Sequence, residues 1–182
     1  KAMVDRLKSK YKISWFEESG DEYPVRVFIL KDEVTVAFDT SGEHLHKRGY
    51  RILTSKAPIT EDLAAALIKL TPWKADRILV DTFCGSGTFL IEAAMMAANI
   101  APGMNRSFTA ENWKDLVPKK AWYEAIDEAN DLVNYDVKTD IQGYDIDADI
   151  VACARDNARN AGVDHLIHFQ QRDVGLLSHP KK

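Results

Sequence analysis

Cysteine is scarce. The 182 residues hold two, Cys84 and Cys153, and neither sits in a Cys-x-x-Cys pair. That excludes a disulfide framework and a cysteine-ligated zinc site, and fits reduced thiols in a cytoplasmic protein. An excess of positive charge is also missing. At a net charge of −4, any binding of nucleic acid needs a local basic patch or a part outside the chain. Long hydrophobic runs are absent. The longest, Phe89 to Ile100, is broken by Glu92 and Asn99 and is too short to span a bilayer. No secretory signal opens the chain, and Lys1 in place of methionine reads as an internal start. There are no repeats and no low-complexity tracts. What remains is the balanced composition of a globular chain, on the scale of one ordinary domain.

The hydrophobic pattern has two styles. Met3, Leu7 and Tyr11 recur at helical spacing between Arg6, Lys8 and Lys10, predicting a short amphipathic helix over 2–11. Val25, Val27 and Ile29, a polar break at Lys31-Asp32-Glu33, then Val34, Val36 and Phe38 predict a hairpin. The stretch from Asp39 to Arg51 is polar and locally basic, a linker or functional loop. After Pro58 strands and helices alternate. Thr60 can cap a helix with Leu63, Ala66, Leu67 and Leu70 as its apolar stripe. Arg77–Val80 is a buried-type strand ending at Asp81, followed by a nearly all-apolar helix from Thr88 to Ala98. A polar excursion over 101–138 contains a second amphipathic helix near Ala121–Val133. Ile141–Tyr144 is a second strand, ending at Asp145. A helix follows from Ala148 to Ala161, with Ile150, Val151, Ala154 and Ala158 inward and Gly162 as its stop. His165–Phe169 is a third strand, running toward Asp173. The order strand–helix–strand–helix–strand implies right-handed crossovers and a parallel α/β sheet. The expected division is 1–51 and 52–182.

The segment Asp81-Thr-Phe-Cys-Gly-Ser-Gly-Thr88 carries the most chemistry. A strand ends in an acid, turns through Gly85 and Gly87, and enters a helix whose first N–H groups are free for a ligand. A nucleoside triphosphate loop needs a lysine after the last glycine, and there is none. A dinucleotide loop needs a third glycine where Leu90 stands. S-adenosylmethionine has no phosphate but carries a cationic sulfonium and amine, which an acid before the glycines suits. A tight turn with no ligand is the plain alternative. Asp145 ends the next strand, where a carboxylate can accept both ribose hydroxyls. Asp147 reads as the helix cap. Asp173, near the end of the third strand, can accept from an adenine amino group or be an ordinary strand-end acid.

DTFCGSGTFLIEAA, NIAPGMNRSF, ENW, GYDID and ARDNARNAGV together resemble the class I RNA methyltransferases with a THUMP domain. The nearest branch methylates guanine N2 in 23S ribosomal RNA. The same family is also described as predicted N6-adenine-specific DNA methylases. DTSGEHLHKRGYR and APITEDLAAALI resemble its junction between THUMP and methyltransferase domains. The resemblance implies a Rossmann-like fold whose strands 1–3 are present here, preceded by the end of a THUMP-like α+β domain. It implies that Asp81, Phe83, Cys84, Gly85, Ser86 and Gly87 surround the methionine part of S-adenosylmethionine. Asp145 would take the ribose, Ile146 pack on adenine and Asp173 face its amino group. Thr82 stands where the family usually has proline, which leaves the glycines in place. The family's Asn- or Asp-Pro-Pro-aromatic motif, which holds the flipped target base, is missing: the chain has no Asn-Pro, Asp-Pro or Pro-Pro pair. The chain is therefore expected to be a fragment that binds cofactor without catalysing transfer, with its first strand at an exposed sheet edge. An N6-adenine DNA methyltransferase and a non-catalytic nucleotide- or RNA-binding module are the alternatives.

Weaker candidates complete the reading. Lys47, Arg48, Tyr50 and Arg51 mix cations with an aromatic ring, which suits contact with ribosomal RNA or a solvated linker. His44 and His46 lack a third metal ligand of suitable spacing. His165 and His168, in one strand, would face opposite sides. Cys84 precedes a helix N-terminus, which can lower a thiol pKa, but no histidine partner is evident. The run from Trp113 to Trp122 reads as a structural insert.

Overall fold

The structure is a computed structural model and describes residues 1–52 and 58–178. It divides into two compact units, Lys1–Thr40 and Ser41–Lys182. In the first unit, helix α1 (Ala2–Tyr11) precedes the antiparallel strands β1 (Val25–Leu30) and β2 (Glu33–Phe38). The hairpin closes between Leu30 and Glu33. Its two loop residues, Lys31 and Asp32, both take positive φ, as the strongly twisted two-residue turn requires. Arg26 Nη2 pairs with Asp39 Oδ2 at 2.9 Å beside the hairpin's open end.

In the second unit, strands β3 (Ile78–Asp81), β4 (Asp140–Asp145) and β5 (Ile167–Gln171) form a parallel sheet in the order β3-β4-β5. Strand β3 lies at its edge, as the sequence predicts. Helices α2 (Glu61–Leu70), α3 (Thr88–Ala97) and α5 (Ala148–Asn160) carry the core with it, and α4 (Lys119–Asp131) follows the polar excursion. Leu90, Ile91, Ala93 and Ala94 of α3 are fully buried with Ile141, Val151, Ala154, Ala158 and Val163. The apolar character of α3 on most sides is explained by this position: it meets α2, α5 and the sheet. Its close approach needs Gly143, where a Cβ would meet the Leu90 and Phe169 side chains. Asp147 caps α5, accepting from the N–H groups of Asp149 and Ile150 at 2.9 and 3.2 Å. Gly162, at positive φ, ends it: Gly162 N donates to Arg159 O and Val163 N to Ala158 O, a Schellman motif.

Three expectations are corrected. Residues 41–51 pack with the second unit, so the division falls after Thr40 rather than 51. The cause is Arg106, whose guanidinium donates to the carbonyls of Ser41, Glu43, His44 and Lys47 at 2.6–3.2 Å. Helix α2 buries Glu61, Ala64 and Ile68, while the expected stripe of Leu63, Ala66, Leu67 and Leu70 is exposed. Helix α2 packs against α3. Strand β5 starts at Ile167, because a short turn over Asp164–Leu166 follows the end of α5. His165 lies in that turn, so it and His168 do not share a strand. Among the described residues no helix is long and apolar enough to cross a membrane.

Candidate functional site

Parallel pairing brings two acids to one edge of the sheet. Asp81 ends β3 opposite Gly143, and Asp145 ends β4 opposite Gln171. The glycine loop hangs between them. Gly85 N donates to Asp145 Oδ2 at 3.0 Å, Phe83 N to Asp81 Oδ1 at 3.0 Å, and Cys84 N to Tyr144 O at 2.9 Å. Gly85 and Gly87 take φ of +53° and +85°, left-handed values that disfavour a side chain. Their surroundings differ. Nothing lies within 4 Å of a Cβ built on Gly85, whereas one on Gly87 would sit 3.1 Å from both Ala154 and Phe169. Gly87 is thus needed for packing, and Gly85 presents bare backbone to open space.

That space belongs to a cavity of about 250 Å³ lined by Pro58, Ile59, Asp81, Phe83, Cys84, Gly85, Ser86, Thr88 and Phe89. Burial raises the Asp81 carboxyl above the ordinary range and the Asp145 charge adds to this, against lowering by the Phe83 N–H. A half-buried carboxylate beside a second acid favours a cationic ligand, which relieves both effects. Asp145 holds the N–H groups of Gly85 and Asp147, one on each oxygen. A carboxylate oxygen can accept more than one hydrogen bond, so both retain capacity for hydroxyl donors. These features fit an adenosyl ligand with a positive charge at its sulfur end.

The structure therefore brings Asp81, Phe83, Cys84, Gly85 and Ser86 together at one cavity, with Gly87 supporting the loop. Phe83 and Ile146 are exposed apolar side chains at this edge. Asp173 caps a neighbouring turn, its Oδ1 accepting from Gly175 N at 2.8 Å. Cys84 is no activated thiol. Burial first, then the charges of Asp81 and Asp145, push its pKa up to about 12.

The basic segment is placed differently from its reading as an RNA contact. Tyr50 is 1% exposed and its hydroxyl donates to buried Glu92 at 3.1 Å, so its ring has no open face for a base. Arg48 lies 3.7 Å from the same carboxylate, and Arg51 lies 3.4 Å from Glu61. Buried acids on α2 and α3 require these cations for compensation. Lys47 alone of the four is well exposed, paired with Glu43. The sequence reading also missed Asn157. Its Nδ2 donates to Ser86 O at 3.2 Å and its Oδ1 accepts from Ile52 N at 3.3 Å, tying the glycine loop to the segment before it. The signal was present: an asparagine on the buried stripe of α5, beside Ala154 and Ala158.

A family model described as RMKL-like, methyltransferase domain (UPF0020) matches residues 48–182. A curated relative from Bacillus subtilis, "Putative RNA methyltransferase YpsC", is 48% identical over 176 residues, covering 96% of this chain and 46% of its own length. A Listeria monocytogenes crystal structure described as a predicted N6-adenine-specific DNA methylase superposes with a TM-score of 0.92 at 49% identity. The match covers 98% of this chain and 47% of that one. The structure of SMU.472, described as a putative methyltransferase complexed with SAH, gives a TM-score of 0.89 at 39% identity over 99% of this chain and 48% of that one. The chain thus spans about half the length of the relatives it matches. With the sheet order, the acid-flanked glycine loop and these likenesses in agreement, the fold is the Rossmann-like methyltransferase fold and the chain belongs to the RMKL-like methyltransferase-domain family.

Proposed function

We propose that this chain forms the cofactor-binding half of an S-adenosylmethionine-dependent methyltransferase acting on a base nitrogen of RNA, guanine N2 of 23S ribosomal RNA. The observation that carries the cofactor is the convergence of Asp81 and Asp145 on a glycine loop that opens into a cavity. When bound, S-adenosylmethionine supplies an electrophilic methyl group. Asp81 offers its partly desolvated charge to the cationic end, and the Gly85–Gly87 backbone permits close approach. Asp145 accepts from the ribose hydroxyls while holding the loop. Exposed Ile146 lies against the adenine, and Asp173 faces its amino group. The complex of SMU.472 with SAH supports this reading.

The acceptor rests on other grounds. The name of the Bacillus relative supports RNA, and the family resemblance of the motifs supports guanine N2 and a THUMP-like first unit. The description of the Listeria structure favours a second reading, adenine N6 in DNA. No Asn- or Asp-Pro-Pro-aromatic motif occurs in the chain, so the residues that hold the target base are proposed to lie outside it. The test is tritiated-methyl transfer by the full-length protein to undermodified 23S ribosomal RNA and to unmethylated DNA. Transfer to the RNA, mapped to guanine N2, is expected. Transfer to DNA alone would overturn the RNA assignment. Residues 1–182 alone should transfer to neither.

A further inference from the structure

Arg51 joins two segments that line the cavity without lining it itself. Its Nη2 donates to Thr88 Oγ1 at 2.7 Å and to Ile59 O at 2.9 Å. Thr88 opens α3 directly after the glycine loop, and Ile59 precedes α2; both border the cavity. The Arg51 side chain is mostly buried, and its Nε lies 3.4 Å from the buried Glu61 carboxylate. The guanidinium is planar, so with Nε turned to that charge its terminal N–H donors point in set directions. One nitrogen thus couples the position of the first α3 turn to that of the Ile59 segment across the cavity.

We propose that Arg51 is a positioning residue for the cofactor, holding Thr88 and Ile59 so that the cavity keeps its shape around the amino-acid part of the ligand. This rests on the reading of the cavity as an S-adenosylmethionine site. The ribose end depends on Asp145 at the end of β4, which Arg51 does not touch. Loss of the Arg51 link therefore affects the two ends of the ligand unequally. A purely structural role would weaken binding of every ligand alike.

The test compares S-adenosylhomocysteine with 5′-methylthioadenosine, which lacks the amino-acid part, by calorimetry on the full-length protein. Arg51→Lys keeps a cation for Glu61 but loses the separate terminal nitrogen that reaches both acceptors while Nε faces Glu61. Thr88→Val removes one acceptor and leaves the Arg51–Glu61 pair intact. In each variant S-adenosylhomocysteine affinity should fall about tenfold, the order of one charge-assisted hydrogen bond. Methylthioadenosine affinity should stay within about twofold. In the double variant the losses should not add, because both cut one link. Equal loss of both ligands, unchanged affinity, or additive losses would overturn the inference. If the wild-type protein binds neither ligand, the cofactor reading itself fails and the inference goes with it.

Discussion

Two glycines, four and six residues past the end of β3, are predicted to fail in different ways. Gly85 and Gly87 both take left-handed φ, so alanine at either costs about 1–2 kcal/mol of backbone strain. At Gly85 nothing else is added, since a Cβ there meets nothing within 4 Å. At Gly87 the Cβ would crowd Ala154 and Phe169, both at 3.1 Å. Overpacking of that kind adds about 1–3 kcal/mol, bringing Gly87→Ala to roughly 2–5 kcal/mol. Ligand binding should follow the reverse order of directness. The new methyl of Gly85→Ala stands in the open space by the cavity and should weaken S-adenosylhomocysteine about tenfold in a protein that still folds. Urea unfolding and calorimetry on the full-length variants read the two effects separately. Equal destabilisation by both alanines, or wild-type ligand affinity in Gly85→Ala, would refute the division of labour between packing glycine and ligand-facing glycine.

Three further outcomes follow from the same geometry. Asp81 has a carboxyl raised by burial above its ordinary 3.8, so the folded state holds more proton than the unfolded one between those values. Its contribution to stability is thus greatest below 3.8 and is lost as pH rises through the raised pKa, while affinity for a cationic ligand grows over the same window; Asp81→Asn should flatten both profiles in pH-dependent melting and titration. Cys84, with its pKa pushed up to about 12, should resist iodoacetamide at pH 8 in the native protein and react only on unfolding; rapid native labelling by mass spectrometry would contradict its burial. Tyr50→Phe removes the hydrogen bond to Glu92 and should cost about 1–3 kcal/mol of stability without weakening RNA binding in filter assays.

The strand–helix alternation and the acid-ended strands were legible because each rests on local pattern. Buried-type runs ending in Asp81 and Asp145, Asp147 before a helix, and Gly162 after one, all act within a few residues of themselves. The errors arose where two faces or two partners compete. Helix α2 has apolar residues on more than one side, and periodicity alone does not tell that Ala64 and Ile68 turn inward while Leu63 and Leu67 do not. The Lys47–Arg51 cluster looked like a surface because its acids, Glu61 and Glu92, lie 10 to 44 residues further along the chain. Asn157 and Arg106 act likewise at long range, one on Ser86 and Ile52, the other on the carbonyls of 41–47. Such pairings are set by tertiary packing, and no local spacing announces them.

The central claim is that Asp81, the glycine loop and Asp145 together hold an adenosyl ligand with a cationic sulfur end. Calorimetry on the full-length protein tests it directly, with S-adenosylmethionine, S-adenosylhomocysteine, NAD and ATP titrated side by side, and with Asp145→Ala as the site control. Binding of the two adenosyl ligands is predicted, with no binding of NAD or ATP. Their affinity should fall about tenfold to a hundredfold in Asp145→Ala, the loss expected when charged hydrogen bonds to hydroxyls are removed. Equal or tighter binding of NAD, or full affinity in a folded Asp145→Ala protein, would contradict the account.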